Sequence, residues 1–575
     1  MLRAGLLSIG LVILAALAWL SLDPESRRAD FVVASDTVRT IDPARVSWLD
    51  EIQIASAVFE GLTRLHPLTL LPEPAAAESW NVDAAQQEYV FHLRPSARWS
   101  NGDPLLAEHF RFAWLRALDP AVQSQYAAML FVIAGAEDFY RSRLNADEAD
   151  DLPAERVGVE APDERTLRVR LARPCPYFLD LTSFPTFAPL HPPTLERWAY
   201  RDGRVLRATS HLWARPAAIV SNGAFLLTRW DFKRRLWLQR NPRYWEAAAP
   251  AAGRRLDEIE ILITADPSAA LLAYETGRID LARGLEPSVA RVLMQRQAAG
   301  RRDDFHLGDR FATYFFRVNC RRPPLDDARV RRALSLAIDR AALCEHVLGL
   351  GETPAETYVP RGSLPLMPRL DRDGTTIFYA PPAPPSAGMS HAERIELARR
   401  LLRESGFDPA SAQRPIELAF APEPPQQRRV AEAVQAMWER ALGLHAQLRM
   451  LERNVLSQKI RDLDYDIVRS DWYGDYLDPM TFLDMYVSGS GQNRTGWSDP
   501  RYDALIHEAA AEADNRRRFE RLSAAEARLC EQAPIIPLYF KRGNYLLRTS
   551  FGGVADNVRD ILPIHRVVRL AEQPR

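Results

Sequence analysis

The chain has 575 residues, of which 47% are hydrophobic and 26% are charged, and its formal net charge is -1. This length exceeds what one hydrophobic core usually serves, so we expect several domains, and the composition excludes a largely disordered chain. The near-neutral charge argues against nucleic-acid binding, which requires a basic excess to neutralise phosphates. Only three of the 74 basic residues are lysines, and acidic residues balance the arginines, which indicates coding bias rather than a basic surface.

The N-terminus predicts export. Arg3 precedes an apolar run from Ala4 to Leu22, and a charged start followed by an apolar stretch is typical of an export signal. At about 19 residues the run is also long enough to stay in the membrane as an anchor. We therefore expect residues 1–29 to be a signal peptide or an N-terminal membrane anchor. The rest of the chain should lie in the periplasm or another extracytoplasmic space, either soluble after cleavage or tethered.

The first half of the chain mixes helix and strand patterns. Apolar spacing predicts a helix over 50–62. Alternating or continuous apolar residues predict strands at 31–33, 88–94, 165–171 and 256–264, and a hairpin over 225–238 that turns near Lys233.

Helices dominate the second half. Apolar spacing predicts them at 326–348, 390–406, 424–442 and 516–530. Ser390 and Glu393 form a capping box for the second of these, and Gly406 ends it. Strands are predicted at 416–420, 465–469 and 535–540, and a Pro-rich stretch from Thr357 to Pro385 predicts an exposed loop. This alternation predicts α/β lobes.

Common catalytic motifs are absent from the sequence. It has no H-E-x-x-H, no G-x-S-x-G, no P-loop and no G-x-G-x-x-G that follows a strand and opens a helix. No two of its eleven histidines have helical metal-ligand spacing, and its four cysteines form no C-x-x-C pair, although a single disulfide stays open. We predict a non-enzymatic protein without catalytic residues, metal or cofactor. A hydrolase built on an unrecognised carboxylate pair is the enzymatic alternative.

The segment from Arg469 to Pro479 is polar and aromatic, unlike a packed core. It follows a predicted strand, and α/β proteins place ligands where strands end in glycine-containing turns. Trp472 and Tyr473 can supply rigid walls, and Asp475 can supply one negative charge. The residues alone leave two interpretations open, a ligand site or a structural turn with surface aromatics.

Several short motifs follow one another in a defined order. They are Ile41-Asp-Pro43, Phe59-Glu-Gly-Leu62, Phe91-His-Leu-Arg94, Trp99-Ser-Asn-Gly-Asp-Pro104, Asn222-Gly-Ala-Phe225, Arg240-Asn-Pro-Arg-Tyr-Trp245 and Val330 to Arg340. As an ordered set they resemble the extracellular solute-binding proteins of peptide importers, the family typified by the oligopeptide-binding proteins of ABC transport systems. The resemblance runs from residue 31 to residue 565.

The resemblance implies an α/β periplasmic binding protein fold of class II and of the three-domain peptide-binding type, with a cleft between two lobes. Domain I is expected at 30–60, 183–310 and 544–575, domain II at 61–182, and domain III, the second lobe, at 311–543. It also implies a monomer that captures a short peptide and delivers it to the permease subunits of an ABC importer.

The resemblance further implies that the peptide lies extended between the lobes and forms backbone hydrogen bonds, as an added strand would. Its α-ammonium is expected to pair with Asp475 in the matched motif Trp472-x-x-Asp475-Tyr476. Other expected contacts are Tyr473, Tyr126 at the cleft, Arg469 for a peptide carboxylate, Asn222, and the backbone of Ser47, Trp48 and Leu49.

Some positions depart from the family pattern. Arg453 stands in place of a ligand-stacking tryptophan, and Gln427 in place of a histidine near the peptide's carboxyl end. Two cysteines that form a disulfide in some relatives correspond to Ala312 and Tyr473. Peptide length and sequence preference therefore stay open, and Arg453 either favours an acidic ligand or faces solvent. The alternatives are the same fold with a sugar, an opine or a nickel chelate, and a membrane-tethered sensor or scaffold.

Overall fold

The computed structural model describes residues 28–144, 151–202, 205–208, 210–250, 253–264, 266–360, 369–370, 375–412, 414–422, 424–554 and 556–571. The signal peptide or anchor predicted at 1–29 lies outside these residues apart from its last two. Within the ranges given, no helix combines the length and the apolar character needed to cross a bilayer.

One large sheet runs through the molecule. Within the described residues it has eleven strands, and Thr353–Pro354 is a short side branch on Ile535–Leu547. The other ten strands lie in the order Phe225–Asp231, Arg235–Arg240, Glu258–Ile263, Phe31–Ser35, Leu281–Arg283, Ile535–Leu547, Phe305–Val318, Ile467–Tyr473, Ile416–Phe420, Ala446–Met450.

Two long antiparallel strands, Phe305–Val318 and Ile535–Leu547, join the two halves of this sheet. Their register shifts between Asp309 and Thr313, so the ladder is irregular midway. We call the half around Phe31–Ser35 the first lobe, and the half that follows the shift the second lobe. The cleft described below lies between these lobes.

A second sheet belongs to the first lobe. Its strands lie in the order Ala77–Val82, Glu88–Leu93, Thr166–Arg170, Val159–Glu160. Tyr89, Phe91 and Leu93 are all buried, as their alternation predicts. This confirms the strand predicted at 88–94, with its end one residue earlier.

Helices cover both lobes. In the second lobe, Gln426–Leu442 buries Val430, Val434 and Trp438 on one face, and these pack with Leu418 of the sheet. The α-helices of the described residues are Leu49–Val58, Ala107–Ala117, Ala136–Ser142, Phe178–Leu181, Pro192–Arg197, Ser210–Trp213, Pro267–Glu275, Pro287–Ala298, Ala328–Leu336, Arg340–Ala342, His391–Ser405, Gln426–Leu442, Arg453–Arg461, Met480–Leu483, Pro500–Ala511 and Asn515–Gln532.

Short strand pairs complete the described elements. They are Thr63–Leu65 with Pro72–Pro74, Ala199–Asp202 with Val205–Ala208, Arg369–Leu370 with Thr376–Ile377, and Val568–Arg569 between Arg254–Arg255 and Phe551–Gly552.

Local sequence signals located several elements well. The hairpin turns at Lys233, whose φ is 60°, between Phe225–Asp231 and Arg235–Arg240. Ser390 caps His391–Ser405 together with Glu393, and Gly406 ends that helix with a φ of 76°. Both predictions are confirmed.

Other predicted boundaries are wrong, and tertiary contacts explain two of them. The helix predicted over 326–348 is interrupted after Leu336, and the helix predicted over 50–62 ends at Val58. The strand predicted at 465–469 continues to Tyr473 because it pairs with Phe305–Val318. The strand predicted at 535–540 continues to Leu547 for the same reason.

The Pro-rich stretch from Thr357 to Pro385 is not simply an exposed loop. Tyr358 and Tyr379 are buried, and both bind the carboxylate of Glu526. The backbone N–H of Tyr358 donates at 2.7 Å, and the hydroxyl of Tyr379 donates at 2.5 Å. A buried carboxylate anchors both ends of this stretch because it needs several donors to replace water.

Candidate functional site

The aromatic segment begins as a strand and turns at Gly474. Strand Ile467–Tyr473 places Ala312 opposite Tyr473, so the two positions that correspond to cysteines in some relatives are cross-strand neighbours. The N–H of Gly474 then donates to the Phe311 carbonyl at 2.8 Å. A Cβ at Gly474 would overlap the Phe311 ring, which explains the glycine. The turn therefore starts four residues later than the sequence predicts.

Thr481 holds the turn that carries Asp475. Its hydroxyl accepts the backbone N–H of Asp475 at 3.0 Å, and its carbonyl accepts the indole N–H of Trp472 at 2.8 Å. Both bonds orient Asp475 toward the cleft from the second lobe.

The Asp475 carboxylate has no hydrogen bond or salt bridge with any residue that the structure describes. Arg559 donates to the backbone carbonyl of Asp475 instead of to its side chain. Burial raises the pKa of Asp475 to about 6, and the charge of Arg559 opposes this rise only in part. The site therefore presents an acidic side chain that lacks a cationic side-chain partner.

Two cavities meet at Asp475. The first has a volume of about 550 Å³ and the second about 510 Å³. Both are lined by Ser47, Tyr126, Tyr473 and Asp475. Volumes in this range suit small ligands or individual peptide side chains.

The walls of the two cavities differ in chemistry. The wall of the second cavity is mostly apolar, with Leu49, Ile52, Phe184 and Leu562 among its lining residues, and Glu60, Arg64 and Arg559 add charged groups. The first adds Gln125, Met129, Arg173, Trp472 and Asp484 to the shared residues. A ligand held at Asp475 can thus extend into either environment.

Tyr126 reaches Asp475 from the first lobe. Its ring packs edge-on against Phe184 with 4.8 Å between centroids. Burial raises the pKa of the Tyr126 phenol, and the nearby charge of Asp475 raises it further. The structure therefore brings these two predicted residues together, although they lie on different lobes.

A buried ion pair supports the same turn. The Arg559 guanidinium donates to Asp180 at 2.7 Å, and the other oxygen of Asp180 accepts the N–H of Leu477 at 2.7 Å. The ring of Tyr177 also stacks on Tyr476, with 4.2 Å between centroids. Sequence reasoning missed Asp180, Arg559 and Tyr177, because no local pattern links positions so far apart in the chain.

Ser47, Trp48 and Leu49 begin the helix Leu49–Val58. The N–H groups of Ser47 and Trp48 donate to Glu51 at 3.1 and 3.4 Å, so these donors already serve the helix cap. Trp48 is 41% exposed. Arg39 and Arg453 both lie close to its ring, with 4.7 and 5.9 Å from their guanidinium carbons to the ring centroid.

Arg453 itself is exposed and belongs to the second lobe. It therefore faces Trp48 across the mouth of the cleft, and both sequence interpretations of Arg453 fit this position.

Arg469 is engaged by neighbouring side chains. It binds Asp471 at 2.8 Å, and Lys541 binds the same carboxylate oxygen at 2.6 Å. These two cations hold the pKa of Asp471 well below its usual range. Arg469 also lies 4.9 Å from the centre of the Tyr314 ring. A ligand carboxylate would therefore compete with Asp471 for Arg469.

Asn222 and Gln427 line neither cavity. Asn222 is buried, and its amide holds the backbone of Glu60 by two hydrogen bonds of 3.1 and 2.9 Å. Gln427 is buried in the first turn of Gln426–Leu442. The structure does not bring either residue to Asp475.

The described residues contain no group of three or more His, Cys, Asp or Glu arranged to hold a metal ion. All four cysteines lie within the described ranges and are free thiols. The disulfide that the sequence leaves open is therefore not formed.

Comparison with known proteins decides the family. The model of the bacterial extracellular solute-binding proteins, family 5 Middle, matches residues 72–494. The chain belongs to the family 5 extracellular solute-binding proteins. The fold and the family predicted from the ordered motifs are confirmed.

Two curated relatives illustrate the range of this family. The periplasmic oligopeptide-binding protein OppA of Escherichia coli K12 is 29% identical over 520 residues, which are 90% of this chain and 88% of that protein. The probable deoxycholate-binding periplasmic protein YgiS of the same organism is 30% identical over 514 residues, 89% of this chain and 88% of that protein.

A solved structure of Haemophilus influenzae OppA in complex with the peptide RPPGFSPFR has the same fold. Its TM-score is 0.75 at 25% identity, and the match covers 95% of this chain and 100% of that chain.

Proposed function

We propose that this family 5 protein captures short peptides in the cleft between its lobes and delivers them to the permease of an ABC importer. One observation carries the proposal, the Asp475 carboxylate that lies between two cavities without a partner among the described residues. A peptide α-ammonium loses water in the cleft, and a carboxylate can replace that water. The peptide-binding relatives support the same assignment.

The neighbouring residues have distinct proposed roles. Trp472, Tyr473 and Tyr126 form the walls around the amino end of the peptide. The segment from Ser47 to Leu49 lies along the main chain, and Arg453 meets its more distant part. Arg469 contacts a peptide carboxylate in competition with Asp471. Asn222 and Gln427 support the surrounding structure.

The domain boundaries given above are part of the proposal. The register shift between Asp309 and Thr313 falls at the boundary between domains I and III, on two strands that join the lobes. We propose that the lobes close about this irregular region when the peptide binds. In this proposal the protein is a non-enzymatic monomer, exported by the segment 1–29, and either released or retained by it.

Identification of the ligand tests the function directly. The chain from residue 28 onward would be purified, unfolded, and its released small molecules analysed by mass spectrometry. We expect short peptides. Recovery of a sugar, a bile acid or a metal chelate, without peptides, would contradict the proposal.

The proposed pairing of Asp475 with the peptide α-ammonium is tested by Asp475→Asn. Asp462→Asn, which removes an exposed charge from the second lobe, is the control. Loss of one member of a partly buried charge pair should weaken binding of free-amine peptides by about 2–5 kcal/mol. N-acetylation of the peptide should weaken binding to the unaltered protein equally and should add little to Asp475→Asn. Equal affinity for free and acetylated peptides would remove Asp475 from this role.

A further inference from the structure

Three acidic side chains line the first cavity, namely Asp471, Asp475 and Asp484. A peptide α-ammonium paired with Asp475 would leave the charge of Asp484 uncompensated. Asp484 lines this cavity together with Asp475. It directly follows the one-turn helix Met480–Leu483, whose Thr481 holds the Asp475 turn. The same short segment therefore positions both carboxylates.

The Asp484 carboxylate has few polar contacts with the surrounding protein. The one hydrogen bond that its carboxylate forms with a described residue comes from the hydroxyl of Tyr476, at 3.4 Å. Its carboxylate forms no salt bridge with any residue that the structure describes. Asp484 is exposed to the solvent of the open cavity, but the protein atoms around its carboxyl and the charge of Asp475 raise its pKa to about 7. The cost of ionising both carboxylates falls when a cation enters the cavity.

The other charged groups that line this cavity do not supply that cation. Asp471 is already neutralised by Lys541 and Arg469. Arg173 lines the same cavity, is exposed, and forms no salt bridge within the described residues. It lowers the pKa of Asp484 only in part. Apart from the ion-paired Asp471, two carboxylates therefore face the cavity, and Arg173 is the one cationic side chain among the described residues that line it.

The walls of the cavity suit the stem and head of a long basic side chain. Met129 and Leu181 offer apolar contact for methylene groups. Tyr177 and Tyr476, which stack on each other, also line this cavity, and the Tyr476 hydroxyl stands beside Asp484 as a further polar group.

We infer that Asp484 is a specificity residue that selects peptides whose first residue carries a cationic side chain, such as lysine or arginine. This inference rests on the proposed function, because the α-ammonium at Asp475 places the first residue next to this cavity. The side-chain cation then pairs with Asp484, so one residue of the ligand neutralises both carboxylates.

Calorimetric titration with two tripeptides tests the inference. Lysyl-alanyl-alanine and norleucyl-alanyl-alanine differ in charge but have side chains of similar length. We expect the unaltered protein to bind the lysyl peptide about tenfold or more tightly. Asp484→Asn should reduce this ratio to about one while leaving affinity for the norleucyl peptide within about threefold.

Glu520→Gln is the matched control, because it removes an exposed negative charge from the same lobe. It should keep the lysyl preference. A ratio near one in the unaltered protein, or a ratio that survives Asp484→Asn, would overturn the role of Asp484. If either result were found while the protein still bound only peptides with a free amino group, the proposed function would stand and only the role of Asp484 would fail. Failure of both peptides to bind would instead contradict the proposed function and the inference built on it.

Discussion

Arg559 and Asp180 form a buried ion pair directly behind the Asp475 turn. Their side chains are 9% and 7% exposed, and the guanidinium lies 2.7 Å from the carboxylate. Arg559 also donates to the backbone carbonyl of Asp475, and Asp180 accepts the N–H of Leu477. The pair therefore fixes the backbone from the Asp475 carbonyl to the Leu477 N–H, and its two members come from distant parts of the chain.

Arg559→Met should destabilise the protein. It leaves Asp180 buried without its cation and frees the Asp475 carbonyl, which should lower the free energy of unfolding by about 3–5 kcal/mol. Chemical denaturation of the empty protein measures this. Asp180→Asn combined with Arg559→Met removes both charges and should recover a large part of the loss. A double variant that is less stable than Arg559→Met would contradict the pairing.

Binding of a free-amine peptide should have a pH optimum. The pKa of Asp475 is raised to about 6, so its carboxylate gains a proton, and loses its attraction for an ammonium, as the pH falls below that value. At the other limit, the peptide amino group loses its charge above about pH 8. Affinity for trialanine should therefore be highest between about pH 6 and 8, and should fall about tenfold per unit well below it.

The loss of affinity at low pH identifies which carboxyl group titrates. Asp475→Asn should remove it, whereas Asp484→Asn should keep it with little change in its midpoint, because Asp484 has the higher pKa and is already mostly protonated where Asp475 titrates. A loss of affinity at low pH that persists in Asp475→Asn would assign the titration to another residue.

Asn222→Ala should lower stability without a direct effect on the ligand. The Asn222 side chain satisfies the N–H and the carbonyl of buried Glu60, and both would lose their partner. We expect a loss of about 2–4 kcal/mol in the free energy of unfolding, measured by denaturation. Peptide affinity at a temperature where the variant stays folded should change less than twofold. A large loss of affinity without a loss of stability would make Asn222 a ligand contact.

Arg453→Ala should weaken peptides that carry an acidic residue beyond the amino end. Arg453 is exposed at the mouth of the cleft, so the effect should be small, about two- to fivefold, and should vanish in high salt. The measurement compares two peptides that differ by Glu against Gln at the third position. Equal losses for both peptides would indicate a packing role beside Trp48 instead.

Local patterns predicted much of the fold. The alternation of Tyr89, Phe91 and Leu93 identified a half-buried strand, and the capping box at Ser390 located a helix start to the residue. The predicted ends of strands were wrong where pairing with a strand distant in the sequence determines them. Residues 470–473 extend a strand because they pair with 312–315, and no local signal reports that pairing.

The residues of the candidate site were likewise predicted only in part from the sequence. The sequence alone predicted the family from its ordered motifs, and it placed Asp475 in the matching aromatic segment. It could do so because those motifs are contiguous stretches of residues. It also proposed Arg469, Asn222 and Gln427 as contacts, which the structure places in an ion pair or in the interior.

Which of these charges are compensated follows from contacts that the folded chain makes between distant residues. The tertiary structure paired Arg559 with Asp180 across 379 residues, neutralised Asp471 with Lys541, and left Asp475 and Asp484 facing one cavity. Helix caps and strand periodicity arise from residues a few positions apart. The protonation and pairing of a carboxylate in the cleft depend on side chains that the whole fold brings near it, which is why they could not be predicted from neighbouring residues.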